Sequence, residues 1–153
     1  MKARRANAKA TSPAPLFVDT WGWLALEDRA DAAHKAVVAL RQDYAARNVP
    51  WLTTDYILDE TFTRLFRRRP FGEAARFAEA LWKARDAGAL IVEPVTPERF
   101  EAAFRLRLKL RDKPRVSFTD ITSFIVMKEL RLSRVLTGDA HFSQVSFGFQ
   151  VAP

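Results

Sequence analysis

The sequence predicts an α/β fold built on a mainly parallel sheet, and three observations carry that expectation. Short apolar runs, Leu16-Phe17-Val18, Trp51-Leu52-Thr53, Leu90-Ile91-Val92 and Arg134-Val135-Leu136-Thr137, have the length and continuity of buried strands. Segments of helical periodicity separate them, as crossover connections between parallel strands require. The chain has 153 residues, of which 48% are hydrophobic, and no cysteine, so one continuous core has to hold it without disulfide staples.

Residues 1–15 contain Lys2, Arg4, Arg5 and Lys9, end in Ser12-Pro13-Ala14-Pro15, and read as a disordered basic arm ahead of one domain over 16–153. After the first strand come Trp21 to Leu26 and a helical stretch from about Ala30 to Ala46. From Asp55 to Arg69 the apolar residues Leu58, Phe62, Leu65 and Phe66 recur at helical spacing, and Pro70 ends the run. A second helix places Phe71, Ala74, Ala78, Leu81 and Trp82 on one face, with Gly88 as its C-terminal cap. Pro97 opens a helix that runs to about Leu110. The strict alternation Arg105-Leu106-Arg107-Leu108-Lys109-Leu110-Arg111 favours a strand by pattern, but no turn signal precedes it, so helix is expected there. Ser117 to Leu130 is apolar nearly all round and predicts a buried helix. Gly138-Asp139 makes a turn, and Phe149-Gln150-Val151 a last short strand.

Composition excludes several classes of chemistry. Without cysteine there is no thiolate zinc site and no thiol nucleophile, and His34 and His141 are too far apart for a histidine metal motif, so a metal site must rest on oxygen. No apolar run approaches the roughly 18 residues of a membrane span, and no apolar stretch follows the basic start as a secretory signal requires. A soluble, cytoplasmic protein is expected. The net charge is +7, but four of the excess cations lie before Pro15. A high pI therefore says little about an organised nucleic-acid surface on the folded part.

Four acids stand where strands and helices end. Asp19 follows the first strand directly, and Asp139 follows the Arg134–Thr137 strand by one glycine. In an open parallel sheet these carboxyl ends are where ligands bind. A turn carboxylate accounts equally well for either alone. Asp120 stands three residues after Ser117, which fits a capping box and gives the acid a structural reason at the start of a buried helix. Glu60 projects away from the Leu58/Phe62/Leu65 stripe, on the face that bears Arg64 and Arg67. Its structural alternative, an exposed pair with Arg64, contributes only about 0.3–0.5 kcal/mol. Four carboxylates sharing one cleft repel one another unless a divalent cation neutralises them, and hard oxygen ligation suits Mg²⁺ or Mn²⁺.

The order Asp19, Glu60, Asp120, Asp139, embedded in Leu16-Phe17-Val18-Asp19-Thr20, Leu58-Asp59-Glu60, Ser117-Phe118-Thr119-Asp120 and Leu136-Thr137-Gly138-Asp139-Ala140-His141-Phe142, resembles the PIN-domain family. It looks particularly like the ribonuclease toxins of bacterial toxin–antitoxin pairs, over residues 16 to 151. The resemblance implies a three-layer α/β/α sandwich, a Mg²⁺ or Mn²⁺ site, and metal-dependent hydrolysis of RNA phosphodiesters. It also implies a homodimer, and for the toxin branch a cognate antitoxin that covers the acidic cleft or its rim. Asp19 and Asp120 correspond to principal metal ligands and Glu60 and Asp139 to the rest of the acidic pocket, partly through waters, with Thr20 and Thr119 as supporting hydroxyls. For Thr119 a plain cap is the better reading.

Arg64, Arg67 and their neighbours Arg68 and Arg69 are candidates for RNA phosphates, with a solvated helix face as the equal alternative. The basic run from Arg105 to Arg115 reads as solvated surface. Asp55 and Asp59 adjoin Glu60 and are alternatives to it by position alone. His141 reads as a structural residue rather than a catalytic one, and Trp21, Trp23, Trp51 and Trp82 as packing residues. A receiver domain would pair acids after its first strand, and an aspartyl phosphatase would place a second Asp where Trp21 stands. The remaining competitor to a nuclease is a non-catalytic RNA-binding or interaction module on the same fold.

Overall fold

The computed structural model describes residues 13–153, so most of the expected basic arm, residues 1–12, lies outside the described residues. Five strands, β1 (Leu16–Val18), β2 (Trp51–Thr54), β3 (Leu90–Glu93), β4 (Arg134–Leu136) and β5 (Gln150–Ala152), form one sheet in the order β3-β2-β1-β4-β5. All four pairings are parallel, with Phe17 opposite both Leu52 and Val135.

Helices fill the connections. These are α1 (Thr20–Glu27), α2 (His34–Ala46), α3 (Asp55–Arg68), α4 (Phe71–Asp86), α5 (Pro97–Lys109), α6 (Phe118–Glu129) and the short α7 (His141–Gln144). The first two crossovers step from β1 to β2 to β3 in one direction, and the later ones return to β4 and β5 in the other. Right-handed crossovers then put α1–α4 on one face of the sheet and α5–α7 on the opposite face, the expected three layers. The chain reverses direction at β1 and β4, so the crevice between their carboxyl ends is the topological switch point.

Local chemistry explains the element ends. Thr54, Thr96 and Ser117 each turn a hydroxyl back to accept a backbone N–H of the first helical turn of α3, α5 and α6. Pro97 opens α5, and Gly88 takes the left-handed conformation (φ 76°) that stops α4. The alternating segment at 105–109 is helical: Leu106 packs on the core as α5 lies against α6, while Leu108 faces outward.

The middle of the sheet is fully enclosed. Leu16, Phe17, Val18, Val135 and Leu136 have no exposed surface, and Ile121, Phe124, Val126 and Met127 of α6 are equally buried over them. Gly22 lets α1 lie against the strands: a Cβ there would sit 2.9 Å from both Val18 Cγ1 and Leu136 Cγ. Gly22→Val is expected to lower stability by roughly 1–3 kcal/mol through overpacking, read as a lower urea midpoint with an unchanged m-value.

Candidate metal centre

β1 ends at Val18 and β4 at Leu136, adjacent in the sheet, so the residues after them emerge side by side. Asp19 Oδ1 accepts the Thr20 N–H at 2.7 Å and so caps α1, while its Oδ2 accepts the Thr137 hydroxyl at 2.8 Å. The Thr137 oxygen in turn accepts the Asp139 N–H at 2.9 Å. One hydroxyl thus ties the two strand ends together. Gly138 is required between them, since a Cβ there would lie 2.6 Å from the Trp21 indole nitrogen.

α6 starts at the same crevice. Ser117 accepts the Asp120 N–H at 3.0 Å, as the capping pattern predicted, and this points the Asp120 carboxylate toward Asp139 and His141. His141 Nδ1 lies 3.0 Å from Asp139 Oδ1 and 3.5 Å from Asp120 Oδ2, without a well-directed hydrogen bond to either. One ligand atom from each of these three residues falls within 4.8 Å of the others. Glu60 reaches in from α3, accepting the Thr20 hydroxyl at 2.9 Å and pairing with Arg64 at 2.5 Å.

All four predicted acids therefore line one cleft of about 400 Å³, together with Thr20, Arg64 and His141. Asp19 and Asp120 are nearly sealed, at 5% and 7% exposure, and Glu60 and Asp139 are only part-buried. Burial raises the pKa of Asp19, countered by the Thr137 and Thr20 hydrogen bonds and reinforced by the charges of Glu60 and Asp139. Burial, then the charges of Asp19 and Asp139, push Asp120 up to about 6, against the lowering contacts from His141 and Ser117. Among the described residues neither Asp19 nor Asp120 pairs with a lysine or arginine. An oxygen-rich donor set, buried negative charge that no lysine or arginine among the described residues pairs, and an imidazole nitrogen 3.0 Å from Asp139 without a directed hydrogen bond fit a divalent cation.

The other candidates divide. Arg64 lines the cleft, whereas Arg67 is exposed and lies outside its lining; Arg68 and Arg69 instead border the neighbouring groove with Trp21 and Leu24. Asp55 is engaged elsewhere, accepting the Val95 N–H at 2.9 Å, and Asp59 is exposed. Thr20 supports Glu60, while Thr119 offers its carbonyl to Thr122 and Ser123 within α6. Trp23 and Trp51 are core residues, as expected, but Trp21 forms a wall of the cleft. Two participants escaped the sequence reading: Thr137, whose only signal is its place two residues before Asp139, and His141, read there as structural.

This arrangement of a parallel switch point and four ordered acids agrees with a direct match to the PIN domain over residues 16–148. The chain belongs to the PIN-domain family. It is 33% identical to the 23S rRNA-specific endonuclease VapC20 of Mycobacterium tuberculosis over 132 residues, covering 86% of this chain and 95% of that protein. The crystal structure of M. tuberculosis VapC20, described as a sarcin–ricin loop cleaving toxin, superposes with a TM-score of 0.72 at 32% identity, over 86% of this PIN domain chain and 95% of the other.

The pKa shifts make this PIN domain's site costly to hold ionised. Asp120 titrates near 3.8 when unfolded and about 6 when folded, so its contribution to stability is complete below pH 4 and is lost as pH rises through 6. Asp120→Asn is expected to raise stability by up to about 3 kcal/mol at pH 7 without divalent ions and to make almost no difference at about pH 3, as read by thermal melts at both pH values.

Proposed function

We propose that this PIN domain is a metal-dependent endoribonuclease, the toxin of a toxin–antitoxin pair. The observation that carries the reading is the convergence of Asp19, Glu60, Asp120 and Asp139 in one cleft where, among the described residues, no lysine or arginine pairs with the two deepest. Asp19, Asp120 and Asp139 would hold Mg²⁺ or Mn²⁺, with Glu60 reaching it through water. Such an ion, when bound, supplies positive charge to phosphate oxygens and lowers the pKa of water.

The protein's own groups do the rest. Thr137 fixes the orientation of Asp19, and Thr20 that of Glu60, so two of the acids keep their rotamers before substrate arrives. Glu60, on the open side, would accept the proton of a water that attacks phosphorus as the phosphorus–oxygen bond of the strand breaks, and the departing oxygen would take a proton from solvent water. Arg64 is held by Glu60 at the cleft edge, where its free guanidinium nitrogens can take a non-bridging phosphate oxygen. RNA is the substrate class that the similarity to VapC20 favours. Purified protein is expected to cleave ribosomal RNA only with Mg²⁺ or Mn²⁺, and Asp19→Asn to lose at least about 100-fold in rate while keeping its far-UV circular dichroism. Cleavage in EDTA, or by the variant at the wild-type rate, refutes the mechanism. RNA binding without cleavage in either metal favours the binding module.

Two partner surfaces accompany this reading. A groove of about 450 Å³ opens from the acid cleft past Trp21 and Arg64 toward Leu24, Glu27 and Arg68, and its mixed apolar and charged walls suit a segment of an antitoxin. On α5, Phe100, Phe104 and Leu108 are 44%, 54% and 57% exposed, and Phe100 packs near Tyr56 of α3. An exposed apolar stripe along α5 supports a homodimer. Phe104→Asp is expected to convert the dimer to monomer in sedimentation velocity; a wild-type monomer at tens of micromolar refutes that interface.

A further inference from the structure

The basic run that the sequence presents as one solvated stripe is split by the fold into unlike parts. Arg105 is exposed and loosely paired with Glu101 at 3.7 Å. Arg107 turns instead toward the loop between α5 and α6. Its Nη1 donates to the Val116 carbonyl at 3.0 Å, and its Nη2 donates to the Lys113 carbonyl at 3.0 Å and to the Leu110 carbonyl. These carbonyls are three residues apart because the loop makes two successive turns, closed by Lys113 N–H to Leu110 O at 3.2 Å and Val116 N–H to Lys113 O at 3.3 Å. A planar guanidinium can satisfy three such acceptors at once, which the compact ammonium of lysine cannot do in the same geometry.

What this loop carries is functional. Ser117 at its end caps α6 and orients Asp120, and Arg115 extends over the acid cleft. Lys113 is neutralised by Asp112 at 2.7 Å, whereas Arg115 forms no ion pair among the described residues, although it stands beside four carboxylates. A second cleft of about 300 Å³ adjoins the first, sharing Arg115 and His141 with it and adding Pro114 and Gln144 as walls. An unpaired guanidinium, an apolar proline surface and an exposed amide able both to donate and to accept are the contacts a nucleotide needs for phosphate, base face and base edge.

We propose that the cleft between the 110–117 loop and α7 holds a nucleotide of the substrate strand next to the scissile bond, with Arg115 on its phosphate and Gln144 on its base, and that Arg107 is the positioning residue that sets Arg115 there. This rests on the endoribonuclease reading and extends it: the strand crosses the acids from Arg64 on one side to Arg115 on the other.

The test uses the full chain and a fluorescein-labelled RNA hairpin with the sarcin–ricin loop sequence. Binding is followed by anisotropy in EDTA, and cleavage in Mg²⁺ and in Mn²⁺. Arg115→Ala is expected to raise Kd about tenfold and to reduce the slope of log Kd against log salt by about 1, the signature of one lost phosphate contact. In cleavage it raises KM while kcat stays within about threefold. Gln144→Ala raises Kd about threefold with the salt slope unchanged. Arg107→Lys reproduces both effects of Arg115→Ala, and the double variant binds no more weakly than Arg115→Ala alone, since the two act as one unit. Arg105→Ala binds as wild type does. Wild-type Kd and salt slope in Arg115→Ala, multiplied losses in the double variant, or no hairpin binding by the wild type overturn the site. A hairpin bound but left intact in both metals removes the nuclease reading instead, and the anisotropy series still decides the site.

Discussion

Everything in this molecule turns on like charges gathered where one sheet reverses its winding. Asp19 and Asp139 are neighbours because β1 and β4 are neighbours, and Asp120 joins them because α6 starts at the same crevice. Repulsion and desolvation both oppose the arrangement, and the raised pKa values of Asp19 and Asp120 are the direct expression of that opposition. The fold holds the acids regardless, since the strands that carry Asp19 and Asp139 are sealed into the core.

The supporting hydrogen bonds divide the labour between fold and chemistry. Asp19 is both a helix cap and a site residue, and Asp120 takes its direction from a capping serine, so structural devices and functional placement coincide. Thr137 and Thr20 act through the acids they hold. The more exposed Glu60 and Asp139 face the solvent side. Cations stand at the margins of the cleft, at Arg64 and Arg115, rather than inside it. A cation inside would cancel the negative field of the acids, whereas one at the rim leaves it in place.

Much of this was legible from residue order. Local runs marked all five strands to within about a residue, Phe149-Gln150-Val151 included, and the acid after each of β1 and β4 marked the site, because an α/β sheet presents ligands at strand ends. The extra helix α7 carries no strong signal: four residues, His141–Gln144, are too few for periodicity. His141 and Trp21 were underrated for a related reason, as a residue two positions beyond a site acid faces the site or the core depending on loop geometry that sequence does not encode. The basic run at 105–115 misled most. Charge spacing alone cannot distinguish Arg105, in solvent, from Arg107, whose guanidinium closes a loop, or from Arg115 above the acids.

Asp19, Asp120 and Asp139 together form the proposed seat of one divalent ion. Crystals of the protein soaked in MnCl₂ near pH 7.5 would report on it through anomalous scattering at the manganese edge. A peak within coordination distance of Asp19, Asp120 and Asp139 is expected. A cleft without such a peak in crystals that bind manganese elsewhere, or a peak that ignores Asp19 and Asp120, would contradict it.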